Sequence, residues 1–499
     1  MKKVISLLTS LLLTLLSNAQ WEQEGQDIFG ENLNDFTGSS IAINDIGDRI
    51  VLFDAFVNGD TRGRARVFEL QNNNWVQLGN EIIGLISGDG QSLGSVMFNS
   101  DGDRFIFSSP LHNANGLELS GTVRVFELQN GNWNQLGNDL IGQQAGDYFG
   151  ASLDMSADGS TIIIGAYQSG LTVFPPGYAK IYGFQSGSWI QLGSQINGTT
   201  NGDEAGKSVS MNADGSIIAI SSPLNDGNGF DSGRVRVFEI QNGSWIQIGN
   251  TIFGQAAEDK LGNTTSANSA ISLSSDGSRI AVGSERHKIN GEAVGQVRIF
   301  ELQNNAWVQL GQDIDGSFKD GAFGVTVSLN TPGDVVIIGA PFANSLGEIK
   351  IFKLVNGTWL QQGETMVGNE VNDWTGWCVD INSLGDIIIF GSPFTDDNGD
   401  NTGKVQIFKN SNVLSISERN LGYDVDLFPN PNNGNFNLKS PESKDKVLIK
   451  ISDVLGKEVF QKKDFLGQNT EINSELKPGV YFVNIRANEV NQTVKIIIL

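Results

Sequence analysis

Two glycine-rich segments of the 499-residue chain concentrate side chains that could bind a metal ion. They read NDGNGFDSG at 225–233 and TDDNGDNTG at 395–403. Calcium prefers carboxylate, amide and carbonyl oxygens on flexible loops. The segments match no strict calcium-loop spacing. Calcium is therefore a possible cofactor, and the sequence establishes none. The ligands that we predict for it are Asp226, Asn228, Asp231, Asp396, Asn398 and Asp400.

Aromatic residues in or near these segments are candidates for ligand contact. Trp374 and Trp377 are the only tryptophans outside a position that recurs along the chain. An exposed indole is large, flat and amphipathic, which suits stacking on a sugar ring. We predict ligand contact for Trp374, Phe230 and Phe394. For Trp374 the alternative is that its indole packs inside the fold and plugs it.

The chain offers little for nucleophilic or acid–base catalysis. Its two histidines, His112 and His287, lie in different repeats. The single cysteine, Cys378, occupies a position that holds Ser, Ala or Thr in the other repeats, which predicts a tightly packed small side chain. We therefore predict no catalytic residue, although carboxylates that the fold brings together could still form an acid–base pair.

The net charge of −23 restricts the class of partner. Binding to phosphates requires the opposite sign of charge, so the composition argues against nucleic acid and anionic membranes. Neutral glycans, proteins and divalent cations remain compatible with it. The alternative is that the charge serves solubility alone.

A repeat supplies the scaffold for these residues. Tryptophans recur at intervals of 52 to 62 residues, and each copy contains four segments with period-2 alternation between Gly, Asn and Asp clusters. In the fourth copy these segments are 207–212, 216–221, 233–240 and 244–252. The repeated tryptophans are Trp21, Trp75, Trp133, Trp189, Trp245, Trp307 and Trp359.

Four short antiparallel strands at this period predict one propeller blade, and seven copies predict a closed all-β ring over residues 20–410. The last copy lacks a tryptophan strand, so we expect residues 21–28 to complete it. Tight turns such as NADGS predict one face of the ring. The long loops share the opposite face, where we expect function to lie.

Two short motifs resemble the FG-GAP propeller repeat of integrin α-subunits and many bacterial surface proteins. Phe323-Gly324 with Gly339-Ala340-Pro341 carries the full pattern, and Phe149-Gly150 with Gly165-Ala166 comes close. The resemblance implies a seven-bladed propeller over about residues 21–410. Blades of that family often bind calcium in a hairpin, but turns such as SADGS here lack the series of carboxylates.

The N-terminus predicts a secretory signal peptide over residues 1–19. Met1-Lys2-Lys3 precedes an apolar run at 4–16, and Ser17-Asn18-Ala19 supplies the small residues of a cleavage site. No later stretch is long and apolar enough to span a membrane. We therefore expect an exported mature chain without a transmembrane segment.

The repeat is followed by a predicted linker at 411–424 and a small Ig-like β-sandwich at 425–499. LFPNPNNGNFNL, IKISDVLGKEV, LKPGVYFVNI and VKIIIL, in this order, resemble the C-terminal sorting domain of the type IX secretion system of Bacteroidota. The resemblance implies transit through the periplasm, contact with the secretion machinery, removal of the domain, and release or surface attachment of the cargo. An ordinary adhesive sandwich is the alternative. The residues that carry the motif are Pro429, Asn430, Pro431, Gly434, Gly456, Gly479, Tyr481 and Lys495.

Together these observations predict an exported binding or adhesion propeller on or outside the cell, with a glycan or protein ligand. A carbohydrate-active or other hydrolytic enzyme is one alternative, and a structural matrix protein is the other. Carboxylates converging in the channel would favour the enzyme. A channel lined by small residues would favour binding.

Overall fold

The computed structural model describes two compact units, divided between residues 412 and 413. The described residues are 21–57, 59–85, 94–169, 174–265, 268–410, 426–428, 435–439, 446–453, 458–465, 470–474, 476–477, 479–487 and 490–498. The predicted signal peptide (1–19) and linker (411–424) lie outside them.

The first unit is a seven-bladed β-propeller in which each blade is one antiparallel sheet. The first two strands in the described residues, β1 (Trp21–Gln23) and β2 (Ile28–Phe29), belong to the last blade. Blade 1 contains β3 (Thr37–Ile43), β4 (Arg49–Asp54), β5 (Arg64–Gln71), β6 (Asn74–Gln77) and β7 (Ile82–Ile83). Blade 2 contains β8 (Val96–Phe98), β9 (Arg104–Ser109), β10 (Thr122–Gln129), β11 (Asn132–Gln135) and β12 (Leu140–Ile141). Blade 3 contains β13 (Ser152–Met155), β14 (Thr161–Ala166), β15 (Tyr178–Gln185), β16 (Ser188–Gln191) and β17 (Ile196–Asn197).

The remaining blades repeat this order. Blade 4 contains β18 (Val209–Met211), β19 (Ile217–Ser222), β20 (Arg234–Gln241) and β21 (Ser244–Phe253). Blade 5 contains β22 (Ile271–Leu273), β23 (Arg279–Ser284), the loop hairpin β24 (Lys288–Ile289) and β25 (Glu292–Ala293), β26 (Gln296–Gln303), β27 (Ala306–Gln309) and β28 (Ile314–Asp315). Blade 6 contains β29 (Thr326–Leu329), β30 (Val335–Ala340), β31 (Glu348–Val355), β32 (Thr358–Gln361) and β33 (Met366–Val367). Blade 7 contains β34 (Cys378–Ile381), β35 (Ile387–Ser392) and β36 (Lys404–Asn410), to which β1 and β2 pair.

Two single-turn 3-10 helices, Ala114–Gly116 and Ala343–Ser345, lie in loops. The second strand of each blade is almost fully buried and reads as a continuous apolar run, such as TIIIGA in β14. Both faces of such a strand are covered by other strands, so strict alternation of polar residues is lost. The hydrophobic core is therefore divided into layers between successive blades.

A ring of backbone hydrogen bonds joins all seven blades at the tight-turn face. In each blade the turn after the innermost strand donates one N–H to the corresponding carbonyl of the next blade, over N···O distances of 2.7–3.2 Å. The donors in ring order are Asp45, Ser100, Ala157, Ala213, Ser275, Thr331 and Ser383, and Ser383 donates to Asp45. The cycle closes after seven members, so the blades form a complete ring.

The repeated tryptophans form a second closed cycle near the outer strands. Each indole Nε1–H donates to a backbone carbonyl of the preceding blade, three residues after that blade's own tryptophan. Trp359 donates to Leu310 at 2.8 Å, and Trp21 donates to Gln362 at 3.1 Å. The bond from Trp21 therefore links the N-terminal strand of blade 7 to blade 6, which fastens the ring without a disulfide.

The glycine of the W-x-Q-x-G motif lies beneath the tryptophan of the next blade. Gly311 has φ +77°, and a Cβ there would lie 2.7 Å from Cδ1 of Trp359. A side chain at this position would be strained and would displace the indole. The motif thus supplies a large apolar tryptophan and, at its glycine, the space for the tryptophan of the next blade.

The second unit is a small β-sandwich. One sheet contains β37 (Asp426–Phe428), β38 (Asn435–Lys439) and β41 (Thr470–Asn473). The other contains β39 (Lys446–Asp453), β40 (Glu458–Phe465), β42 (Gly479–Ala487) and β43 (Val490–Ile498). Buried residues from both sheets, including Phe436, Ile451 and Val483, form one core.

Candidate functional site

The candidate site lies where the innermost strands of the propeller begin, at the end opposite the ring of tight turns. We call this opening the mouth. The chain enters each innermost strand through D-x-x-G or a variant of it. Asp147 shows the role of the first residue, because its Oδ2 accepts the backbone N–H groups of Gln143 and Gln144 at 2.8 and 2.9 Å. Asp35 and Asp203 make equivalent bonds, so the repeated Asp caps the loop.

The residue that follows this position, which holds Asp in five of the described blades and Gly321 in blade 6, has a left-handed backbone in each blade where it is described. We call it the mouth residue. Its φ lies between 50° and 57°, a region that residues other than Gly, Asn and Asp adopt at a cost of about 1–2 kcal/mol. The mouth residues are Phe36, Tyr148, Glu204, Lys260, Ala322 and Trp374, and that of blade 2 lies outside the described residues. Six blades thus present six different side chains from one backbone geometry.

Aromatic side chains of blades 6, 7 and 1 meet at the mouth. The ring centroid of Trp374 lies 4.0 Å from that of Phe394, 5.1 Å from Phe342 and 5.3 Å from Trp377. Phe36 continues the series, 5.0 Å from Phe394 and 5.3 Å from Phe56. We call these six residues the aromatic arc: Phe36, Phe56, Phe342, Trp374, Trp377 and Phe394.

Every ring of the aromatic arc is half-buried. The Trp374 indole is held by aromatic neighbours of blades 6 and 7, so it is neither free in solvent nor buried in the core. The arc therefore combines fixed ring positions with accessible surface, as a stacking site requires.

Phe230, the third predicted ligand contact, does not join the other two. It lies in the long loop of blade 4, and 67% of its surface is exposed. With Asp226 and Asp231 it lines a separate cleft of about 380 Å³ between that loop and the link from blade 3. The sequence prediction thus spans two places in the ring.

The predicted calcium ligands make local bonds that shape their loops. Asp226 accepts the N–H of Asp231 at 2.9 Å, and Asp396 accepts the N–H of Asn401 at 2.6 Å. The Asn228 amide donates to the Gly254 carbonyl at 2.7 Å. Asn398 and Asp400 are exposed in the second loop. Within the described residues no three His, Cys, Asp or Glu side chains are placed so that they could hold a metal ion, and the calcium site stays a prediction.

Charged residues take the place of aromatic ones on blades 4 and 5. Lys207 lies over the Tyr167 ring, 3.8 Å from its centroid, and pairs with the mouth residue Glu204 at 3.8 Å. Tyr167 also stacks on Tyr148 of the same blade, with centroids 4.9 Å apart. Desolvation lowers the pKa of Lys207, although its acidic neighbours oppose that shift. The mouth therefore has an aromatic sector and a charged sector.

Two aspartates line the channel below the mouth. The Asp154 carboxylate accepts the N–H of Met211 at 2.7 Å and the hydroxyl of Ser210 at 3.1 Å, both from blade 4. Burial raises the pKa of Asp154 to about 6 and that of Asp380 to about 6. Ser272 occupies the corresponding position of blade 5 and accepts the N–H of Leu329 of blade 6. These side chains thus join neighbouring blades inside the channel.

Asp380 makes the same kind of link at the closing blade. It accepts the N–H of Ile43 of blade 1 at 3.0 Å and the hydroxyl of Ser328 of blade 6 at 2.8 Å. Both channel carboxylates are therefore engaged in holding blades together.

The other candidates for catalysis belong to the framework. His287 Nδ1 lies 3.1 Å from Asp259, the loop cap of blade 5, and this hydrogen bond raises the pKa of His287. Cys378 is buried, its thiol donates to the Gly38 carbonyl, and desolvation raises its pKa. His112 lies in the long loop of blade 2.

The sorting-motif residues are only partly described. Gly479 and Tyr481 lie in β42, and the Tyr481 hydroxyl donates to the Lys477 carbonyl at 3.0 Å. Lys495 lies in β43, opposite Phe482. The motif residues outside the described part of the chain are Pro429, Asn430, Pro431, Gly434 and Gly456.

The C-terminal unit matches a known family. Residues 426–499 match the secretion system C-terminal sorting domain, which directs export by type IX secretion. The protein is therefore delivered through the periplasm to the cell surface or the extracellular space, and it interacts with the secretion machinery. No curated protein matches the sequence. No helix in the described part of the chain is long and apolar enough to cross a membrane.

Solved structures resemble the propeller only distantly. A protein of Bacteroides uniformis ATCC 8492, provisionally assigned as a 6-phosphogluconolactonase, is 14% identical, with 66% of this chain and 86% of that chain covered and a TM-score of 0.47. A provisionally assigned 6-phosphogluconolactonase of Bacteroides fragilis NCTC 9343 is 12% identical, with 68% and 86% covered and a TM-score of 0.47. The periplasmic gluconolactonase of Pseudomonas aeruginosa is 14% identical, with 66% and 87% covered and a TM-score of 0.44. TM-scores below 0.5 carry no information on the activity of this chain.

Sequence reasoning overlooked Phe36, Phe56 and Phe342, which complete the aromatic arc. Their signal was available in the repeat, because Phe36 follows the repeated Asp as Trp374 does. Phe56 and Phe342 occupy the place just after the second strand that Phe394 occupies in blade 7. Aligning the repeats and comparing the residues that differ would have grouped them.

Proposed function

We propose that the propeller is an exported binding module that recognises an extracellular ligand, a glycan or a protein, at the mouth. The main support for this proposal is the set of mouth residues, which share one left-handed backbone geometry and differ in side chain from blade to blade. In five of these blades an Asp caps the loop before the mouth residue and helps to fix its backbone. A rigid framework that presents variable side chains is the arrangement by which binding loops acquire specificity.

The proposal includes the route of the protein. The predicted signal peptide would direct the chain into the periplasm, and the sorting domain would direct its export from there. Adhesion at the cell surface is then one use of the binding site, and an FG-GAP-like origin of the repeat is compatible with it. The same test shows whether calcium bound to the loops at 225–233 and 395–403 assists ligand binding.

A hydrolytic propeller is the second candidate, favoured by the raised pKa values of Asp154 and Asp380 in the channel. A general acid works best with a pKa near the operating pH. Both carboxylates accept hydrogen bonds from neighbouring blades, which supports a structural role and therefore the binding proposal.

The test is binding of the full chain after the predicted signal peptide to an array of glycans and matrix proteins, with calcium and with chelator. We expect a defined hit that Trp374→Asn weakens, because Asn tolerates the left-handed backbone but lacks the indole. Loss of the hit in chelator would support the calcium loops. An array without any hit, or a hit that Trp374→Asn leaves unchanged, would contradict recognition at the mouth.

A further inference from the structure

We infer that the aromatic arc binds an uncharged polysaccharide, a deduction that rests on the proposed binding function and names its ligand class. The arc crosses three consecutive blades, and successive ring centroids along Phe56, Phe36, Phe394 and Trp374 lie 5.3, 5.0 and 4.0 Å apart. The planes of these successive rings are inclined to one another by 46°, 71° and 49°, so each ring presents its own face or edge. A surface of several adjoining rings suits a ligand that presents several flat apolar faces in succession. A chain of pyranose rings has this form.

Two residues of the arc hold large rings at left-handed backbone positions. Phe36 and Trp374 adopt φ values of 52° and 57°. Elsewhere in the described chain, left-handed turn positions often hold Asn, including Asn72, Asn130 and Asn356. Large side chains at such positions cost free energy, and strain of this kind is concentrated at functional sites.

The negative charge of the protein restricts which ligands could stack on the rings of the aromatic arc. The whole chain carries −23, and the loops beside the arc expose Glu370, Asp396 and Asp400. Carboxylates repel uronic acids and sulfated sugars, whereas they accept hydrogen bonds from the hydroxyl groups of neutral sugars. The same loops bring together amides, since Asn401 donates to Asn34 at 3.0 Å. Stacking rings bordered by such acceptors match a neutral glycan.

The experiment is affinity electrophoresis of the full chain through gels that contain mixed-linkage β-glucan, galactomannan or dextran. Alginate and polygalacturonate serve as anionic counterparts. We expect at least one neutral polymer to retard the protein and neither anionic polymer to do so. Trp374→Asn and Phe394→Leu should each weaken binding about tenfold or more, because each removes an aromatic ring from the arc. Phe174→Ser, which removes an exposed aromatic outside the arc, should leave binding within about twofold.

The outcomes separate this inference from the proposed function. Retardation by an anionic polymer alone, or by none of the five, would overturn the neutral-polysaccharide inference. A protein hit on the array that Trp374→Asn weakens would then leave the binding function standing. Unchanged affinity of a properly folded Trp374→Asn or Phe394→Leu would remove the aromatic arc as the contact surface. The melting temperature of each variant shows whether it folds.

Discussion

Replacement of one motif glycine tests whether the blades are held together as the structure implies. In Gly311→Ala, the new Cβ would lie 2.7 Å from Cδ1 and 3.1 Å from Nε1 of Trp359. The Trp359 side chain is 2% exposed and donates to the carbonyl of Leu310, the residue before this glycine. The indole would have to move, and its hydrogen bond to the neighbouring blade would lengthen. Gly357→Ala is the matched control, because Gly357 has φ +79° and no atom within 4 Å of an added Cβ.

The two variants share the backbone cost and differ in the contact. A left-handed Ala costs about 1–2 kcal/mol in either place. Overpacking against a buried ring adds about 1–3 kcal/mol in Gly311→Ala only. We therefore expect the free energy of unfolding to fall by about 1 kcal/mol in the control and by about 3 kcal/mol in Gly311→Ala.

Urea unfolding followed by tryptophan fluorescence measures this difference, because the affected indole is itself a reporter. The m-value should stay the same in both variants, so the difference in their urea midpoints measures the difference in the free energy of unfolding. Equal midpoints for Gly311→Ala and Gly357→Ala would refute the reasoning, since only one of them approaches the indole.

Three further predictions follow from other parts of the chain. Burial raises the pKa of Asp380 to about 6, so the folded chain binds a proton at this carboxylate more tightly than the unfolded chain does. The contribution of Asp380 to the free energy of unfolding should therefore fall as the pH rises from about 4 to 6. Asp380→Ser, which copies Ser272 of blade 5, should remove that dependence, and a wild-type-minus-variant difference that stays flat from about pH 4 to 7 would contradict it. Trp21→Phe removes the indole bond to Gln362 and should cost about 1 kcal/mol in urea unfolding, whereas an unchanged midpoint would show that this closing bond contributes nothing. Deletion of 425–499 should trap the propeller in the periplasm, as cell fractionation would show, and normal export of the truncated chain would disprove the sorting role.

The sequence was a good guide to the fold because the fold repeats. Seven tryptophans at similar intervals predicted seven blades, and each indole indeed contacts the blade before it. Period-2 alternation predicted strands because each blade has two faces to bury. The ring of hydrogen bonds from Asp45 to Ser383 could not be predicted, since it joins backbone atoms of different blades, and the recurring turn motif predicts the turns but not the bonds between them.

The site was harder to predict because it depends on contacts between different blades. Trp374 and Phe394 are 20 positions apart and could be proposed together, but Phe36 joins them only because the ring closes. Phe230 shares their chemistry but lies in blade 4, so residue type alone could not show that it is separate from the other two. The predicted metal ligands show a related difficulty. Oxygen-rich loops suit calcium and also suit turns, and Asp226 and Asp396 each accept a local backbone N–H.

The propeller separates the residues that hold it together from those that could recognise a ligand. Tryptophans, capping aspartates and motif glycines recur around the ring and form bonds within or between blades. Side chains at the mouth differ from blade to blade, from Ala322 to Trp374, on a backbone that these bonds already fix. Since the bonds involve mainly backbone atoms and repeated side chains, a mouth residue can change without loss of the framework. The rings of Phe36 and Trp374 accord with the proposed recognition role, because a fold that needed only packing could place Asn or Gly at these left-handed positions without strain.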